Sequence, residues 1–163
     1  MRRDFSIPDF AGGEIRYNVS VLSLAPNPYN LSPMHIFIFG NPDLPFDSLP
    51  LRILPELQKE FPEIKFEVKD PNEEWDLENS GDLVILDTAV GIDKITIFED
   101  LEKFAKAPRV SMHDFDALTN LRYLQKIGKI KKVRIIAIPP DLEEKGAVKN
   151  AASALRRLRA EAA

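Results

Sequence analysis

The chain has 163 residues, of which 44% are hydrophobic and 29% are charged, a composition that excludes disordered, fibrous and membrane-spanning proteins and predicts one globular domain. Its 22 Lys and Arg residues and 26 Asp and Glu residues give a net charge of −4, so nucleic acid and anionic lipid are not expected partners. The absence of cysteine excludes disulfides, thiolate metal sites and cysteine nucleophiles. No apolar run resembles a bilayer span or a secretion signal, so a cytoplasmic protein is expected.

Residues 1–33 differ in composition from the rest of the chain. They contain Gly12, Gly13 and four prolines around one strand-like run at residues 19–24. The sequence therefore predicts an N-terminal extension over residues 1–33, either disordered or forming an added edge strand. A single α/β domain is predicted over residues 34–163.

From Met34 onward, short β-branched or aromatic runs alternate with helical patterns, which predicts a mostly parallel sheet covered by helices. The fold class is therefore a three-layer αβα sandwich with a twisted, mostly parallel sheet of about five strands. Gly128 is the expected end of the second helix, with Asp114 or Asp116 as its N-cap, and Asp141 with Glu144 is the expected capping box of the last helix. Strands are predicted over residues 36–39, 64–68, 83–86, 95–98, 109–112 and 133–138, and the first two helices over 51–61 and 115–127.

Polar residues follow three of the predicted strands, where ligands bind in open α/β sheets. Strand 36–39 leads into a loop that carries Asp47, strand 83–86 is followed by Asp87, and strand 109–112 is followed by His113. Two carboxylates and one imidazole suit a divalent ion such as nickel, zinc or manganese, with positions left for water or substrate. The pattern is typical of metal-assisted hydrolysis.

Each of these residues also has a purely structural interpretation. An aspartate at a strand end commonly forms a turn or caps a helix, and His113 before a helix fits an ordinary loop. Two further residues are predicted to be structural: His35, which lies near the start of a strand, and Trp75, which is expected to anchor a loop on the core. Ser48 and Ser111 have no paired base, which disfavours serine hydrolase chemistry.

The order of several segments resembles the nickel–iron hydrogenase maturation endopeptidases, over roughly residues 34–160. The resemblance implies a twisted sheet between helices and an enzyme that needs no ATP. Such an enzyme removes a short C-terminal peptide from the precursor of the hydrogenase large subunit once nickel has been inserted. The segments are the strand ending at Gly40-Asn41, Asp47, the strand ending at Asp87, Ser111-Met112-His113-Asp114 and Ile136-Ala137-Ile138-Pro139-Pro140.

Carried over by position, the catalytic and metal-contacting residues of that family fall on Asp47, Asp87 and His113. The resemblance implies that nickel arrives with the substrate, that no nucleotide is used, and that the partner is the large-subunit precursor. A cytoplasmic monomer is expected. Residues 45–50 read Pro-Phe-Asp-Ser-Leu-Pro and lack the glycine of the family's acidic stretch. An ungapped match to that stretch puts Asp47 at the ligand position, and a match shifted by one residue would put Ser48 there. Asp43 is a third choice.

Two other functions stay open from the sequence. The altered loop fits a catalytically inactive family member that acts as a binding or assembly module for a hydrogenase-like partner. The domain also fits an unrelated α/β protein that binds a small ligand near Gly40 and Asn41. The last alternative predicts that substitutions at Asp87 and His113 leave the activity unchanged.

Overall fold

The computed structural model describes residues 6–8, 14–16, 34–70, 73, 75, 77, 82–105 and 113–162, but not the side chains of residues 6–8, 14–16, 113–116 and 162. The chain forms two compact units, Met1–Leu31 and Ser32–Ala163. In the first unit, strands β1 (Ser6–Pro8) and β2 (Glu14–Arg16) pair antiparallel and form a two-stranded sheet. The predicted strands at residues 19–24 and 109–112 lie outside the described residues.

The second unit contains a five-stranded sheet with helices around it, which confirms the predicted α/β fold class. The strand order is β4-β3-β5-β7-β6, and only the β6–β7 pair is antiparallel among these described strands. The strands are β3 (His35–Ile38), β4 (Lys65–Val68), β5 (Asp82–Thr88), β6 (Thr96–Phe98) and β7 (Lys132–Ile138). The helices are α1 (Leu49–Glu60), α2 (Leu101–Ala105), α3 (His113–Lys126) and α4 (Glu144–Ala162).

The sheet separates two hydrophobic cores, and strand β5 contributes alternate residues to each. Val84 and Leu86 pack in one core with residues of α1 and α4, whereas Leu83 and Ile85 pack in the other with residues of α2 and α3. Because successive side chains of a strand point to opposite faces, Asp87 belongs to the α2/α3 face and Thr88 to the α1/α4 face. The two polar residues at the end of β5 therefore lie on opposite faces of the sheet.

The helix boundaries correct two predicted caps. Helix α3 begins at His113, so Asp114 and Asp116 lie inside its first turn, and the prediction that either is the N-cap was wrong. Helix α4 begins at Glu144, and the predicted capping box was also wrong. Asp141 instead lies in a turn in which the Leu142 N–H donates to the carbonyl of Pro139 at 3.3 Å. A capping box at Asp141 would make Leu142 the first helical residue, whereas this turn delays the start of the helix to Glu144.

Gly128 ends helix α3, as the sequence predicted. It has a φ of 78°, a left-handed conformation that glycine adopts without a steric penalty. The Gly128 N–H donates to the carbonyl of Gln125 at 3.1 Å, and the Lys129 N–H donates to that of Leu124 at 3.0 Å. This pair of bonds is the Schellman motif, which satisfies carbonyls that the end of a helix would otherwise leave unpaired.

Candidate functional site

The loop after β3 folds back on the strand and brings Asp47 to the end of the sheet. Asn41 donates its N–H to the carbonyl of Asp47 at 3.3 Å, and the Asp47 N–H donates to the carbonyl of Leu44 at 2.9 Å. Gly40, with a φ of 150°, makes this path possible because a Cβ there would lie 2.6 Å from the Asp47 carbonyl oxygen. The backbone of Asp47 is therefore fixed against the end of β3.

Two other polar side chains of this loop hold its shape. The Asn41 Oδ1 accepts a hydrogen bond from the N–H of Asp43 at 2.9 Å, which forms a local turn. Ser48 is buried at the N-cap of α1, and its hydroxyl donates to the carbonyl of Pro45 at 3.2 Å instead of capping the helix. Asp43 is exposed. The hydroxyl of Ser48 thus has a structural use, and the carboxylate of Asp47 is the better ligand candidate.

Asp87 lies at the carboxyl end of β5, between β3 and β7 in the sheet. Only 6% of this residue is exposed, and its Oδ1 accepts the N–H of Thr88 at 2.8 Å. The neighbouring strands are aligned there by bonds from the Phe39 N–H to the Leu86 carbonyl and from the Ala89 N–H to the Ile138 carbonyl. Because acidic residues are seldom buried and ligands of open α/β sheets bind at this edge, Asp87 is a candidate for a functional group.

The backbone of His113 lies at the same edge and on the same face as Asp87. A hydrogen bond from the Ile130 N–H to the Leu124 carbonyl joins the C-terminal end of α3 to the residues just before β7. Strand β7 starts beside Asp82, at the edge of the sheet opposite to Asp87. The 14 residues of α3 rise about 21 Å, about the length of β5, so the helix begins near the carboxyl edge. Its buried residues belong to the core on the α2/α3 face.

The structure thus places the chain positions of the three predicted site residues at one edge of the sheet. The imidazole of His113 lies outside the described side chains. Among the side chains that are described, no three histidine or acidic groups form a cluster that could hold a metal ion. Metal contact by Asp47, Asp87 and His113 therefore stays a prediction.

His35 and Trp75 have the structural roles that the sequence predicted. The His35 Nε2 lies 2.7 Å from the Glu67 Oε2 at the start of β3, the edge remote from the site. Trp75 is 5% exposed, contacts the rings of Phe37 and Phe39 on the core, and donates its indole N–H to the carbonyl of Asp70 at 2.9 Å.

Thr88 carries a buried hydroxyl beside the site, and no role was predicted for it from the sequence. Its Oγ1 has no hydrogen-bond partner within the described part of the chain, although the residue is only 2% exposed. A polar residue at the end of a strand whose residues 83–86 are apolar is the only signal that the sequence offers for it.

A twisted, mostly parallel sheet between helices, with acidic residues at its carboxyl edge, defines this domain as an α/β sandwich with a candidate active site at that edge. No family model and no curated protein sequence matches the chain. Two solved structures share its fold. One is the hydrogenase maturating endopeptidase HybD from E. coli, with a TM-score of 0.58 and 19% identity, over 78% of this chain and 93% of that one.

The other is the solution structure of an endopeptidase from Escherichia coli, with a TM-score of 0.57 and 18% identity, over 75% of this chain and 90% of that one. These two likenesses confirm the resemblance at the level of the fold. In the described part of the chain, no helix is both long enough and apolar enough to span a membrane.

Proposed function

We propose that this chain is an endopeptidase that removes the C-terminal peptide from the nickel-loaded precursor of a nickel–iron hydrogenase large subunit. The observation that carries the proposal is the fold shared with HybD over most of both chains. The position of Asp87, a buried carboxylate at the edge where such sheets bind ligands, supports it independently of sequence identity. The proposal takes the chain as a cytoplasmic monomer that uses no nucleotide.

In this proposal the nickel ion belongs to the substrate, and the chain supplies the groups that recognise it. Carboxylates and an imidazole are suitable ligands for a borderline divalent ion, which fits Asp47, Asp87 and His113. The bond from the Thr88 N–H to Asp87 Oδ1 holds the Asp87 carboxylate in one orientation. The turn around Gly40 fixes the backbone from which the side chain of Asp47 extends. A nickel-free precursor would lack the group that these residues recognise.

The proposed reaction is hydrolysis of one peptide bond near the C-terminus of the precursor. The oxygen of a water molecule attacks the scissile carbonyl carbon, the C–N bond breaks, and a proton from the water moves to the leaving amine. A carboxylate of the chain accepts that proton first and then delivers it, as a general base and acid. Nickel carried by the precursor supplies Lewis acidity, and its placement by the chain orients the scissile bond.

The departure of residues 45–50 from the family's glycine-containing stretch supports a second candidate function. In that case the chain would bind the precursor as an assembly module and leave its C-terminus intact. Binding without cleavage is therefore the result that distinguishes the module from the protease.

The test is incubation of the nickel-loaded precursor with the wild-type chain and with Asp87→Asn, followed by the intact mass of the precursor. Asparagine keeps the Oδ1 that accepts the Thr88 N–H but removes the charge, so this hydrogen bond of the fold is retained. We expect cleavage by the wild type and at least a 100-fold slower reaction with Asp87→Asn, typical of the loss of a general base.

Asp43→Asn is the matched control, because Asp43 is exposed in the same loop region as Asp47 and its carboxylate is not part of the proposed site. Its rate should stay within twofold of the wild type. An unchanged precursor mass despite confirmed binding would exclude the protease. If the wild type neither binds nor cleaves the precursor, the unrelated ligand-binding domain would be favoured.

A further inference from the structure

The C-terminal end of helix α3 presents an exposed surface that combines apolar and basic side chains. Tyr123 is 58% exposed and Ile127 is 47% exposed, and their spacing of four residues places them on one side of the helix. Three exposed lysines surround them along the chain. We call this surface the basic ridge; it consists of Tyr123, Lys126, Ile127, Lys129 and Lys131.

Among the residues that the structure describes, no carboxylate pairs with the lysines of the basic ridge. Glu102 pairs with Arg122 at 2.7 Å, and Glu99 pairs with Lys132 at 3.3 Å, so both acidic groups already have basic partners. Within the described part of the chain, the three lysines of the ridge form no ion pair. The ridge is thus a local concentration of positive charge on a chain whose net charge is −4.

The backbone of the basic ridge is rigid. The Schellman motif at Gly128 fixes the turn between Ile127 and Lys129, and Ile130 is buried immediately after it at 2% exposure. Because this backbone is already fixed by hydrogen bonds, a partner that binds there would have to order the side chains but not the backbone.

Helix stability alone does not explain this surface. A lysine in the last turn interacts favourably with the partial negative charge of the helix end, which accounts for Lys126. Lys129 and Lys131 lie beyond the helix, and neither contributes to the core. Tyrosine is enriched in the buried centres of protein interfaces, where its ring is covered and its hydroxyl stays hydrated, and Tyr123 next to Ile127 fits such a centre.

We infer that the basic ridge docks an acidic surface of the precursor protein, remote from the bond that is cut. This inference rests on the proposed function for the identity of the partner. The ridge lies at the end of α3 opposite to His113, about 21 Å along the helix, a distance that a folded protein substrate can span. Nucleic acid is disfavoured because three lysines would release few counterions.

The test compares two double charge reversals with the same change in net charge. Lys129→Glu with Lys131→Glu alters the ridge, and Lys59→Glu with Lys149→Glu alters exposed lysines of α1 and α4 on the other face of the sheet. With the nickel-loaded precursor, the ridge variant should raise KM about tenfold and leave kcat within twofold. The control should leave both within twofold. About 0.5 M salt should reduce the difference in KM, because it screens exposed charges.

Equal KM values for the ridge variant and the control would overturn the inference while leaving the protease proposal intact. If the wild type binds the precursor without cutting it, the protease proposal fails, and the dissociation constant of the complex is measured instead of KM. A tenfold higher dissociation constant for the ridge variant, but not for the control, would then still support docking. No binding of the precursor by the wild type overturns the inference. Binding of mixed-sequence RNA at physiological salt that is lost only in the ridge variant also overturns it.

Discussion

Replacing Gly40 by alanine tests whether the turn after β3 holds Asp47 at the end of the sheet. The new Cβ would lie 2.6 Å from the carbonyl oxygen of Asp47 and 3.4 Å from the Cγ of Leu51. The φ of 150° costs an L-residue about 1–3 kcal/mol, and an extra methyl group in a filled space costs a similar amount. Because movement of the loop relieves both strains together, we expect a loss of about 3 kcal/mol in the free energy of unfolding.

Urea unfolding followed by tryptophan fluorescence measures this loss, because Trp75 is the single tryptophan and packs on Phe37 and Phe39 of strand β3 and the following residue. Two other glycines provide controls. Gly146→Ala in α4 would meet only Leu142 at 3.9 Å and should stabilise the fold by about 0.5–1 kcal/mol. The new Cβ of Gly128→Ala would meet no atom within 4 Å, so the φ of 78° is its sole source of strain. We expect this strain to lower the free energy of unfolding by about 1 kcal/mol.

The functional consequence of Gly40→Ala separates local from global effects. At a temperature where both proteins are folded, cleavage of the precursor should fall at least tenfold in Gly40→Ala because Asp47 is displaced, whereas Gly128→Ala should retain activity. If Gly40→Ala were no less stable than Gly128→Ala, the close contact with Asp47 would be wrong. If it were unstable but fully active per folded molecule, Asp47 would not belong to the site.

Three other changes test the account of the fold. Thr88→Val replaces the unpartnered buried hydroxyl by a methyl group and should stabilise the protein by about 1 kcal/mol in urea unfolding; a destabilisation would mean that the hydroxyl has a partner. Leu155→Ala should cost about 2–5 kcal/mol, because this fully buried side chain joins α4 to the sheet, and a smaller loss would show that the core there is loosely packed. The hydrogen bond from Lys69, with His35 and Lys65, lowers the pKa of Glu67 from 4.5 to about 2. Since the lowered pKa stabilises the fold above pH 4.5, that stability should disappear as the pH falls toward 2. Glu67→Gln should remove about 1 kcal/mol of this pH-dependent stability, a value reduced because the Glu67 side chain is 31% exposed. An acid unfolding curve that Glu67→Gln leaves unchanged would refute this assignment.

The sheet could be predicted because its central strands are nearly continuous apolar runs. Strands β5 and β7 are buried on both faces, so their sequences carry a strong signal that depends little on the surroundings. Helix α2, with five residues, is too short to have an apolar period, and the sequence analysis did not predict it. The N-cap predicted for α3 was wrong because Asp114 and Asp116 both lie inside its first turn. The capping box predicted for α4 was wrong because Asp141 lies in a separate turn before the helix, and the sequence does not show this turn.

The candidate site could be predicted in part. Asp87 follows directly from the end of an apolar strand, so its position at the sheet edge needs no knowledge of the loops. The relation of Asp47 to the site depends on the close approach of its carbonyl to Gly40, seven residues earlier, and the sequence does not show this contact. The face to which Thr88 belongs was equally inaccessible, because it depends on which helices cover each side of the sheet.

Intact mass spectrometry of the precursor in its nickel-loaded and nickel-free forms, each incubated with the wild-type chain, tests the central claim most directly. The account predicts that the loaded precursor loses the mass of its C-terminal peptide and that the nickel-free precursor keeps its full mass. Cleavage of both forms at the same rate would contradict recognition of nickel through Asp47, Asp87 and His113. An intact loaded precursor that nevertheless binds the chain would contradict the endopeptidase itself.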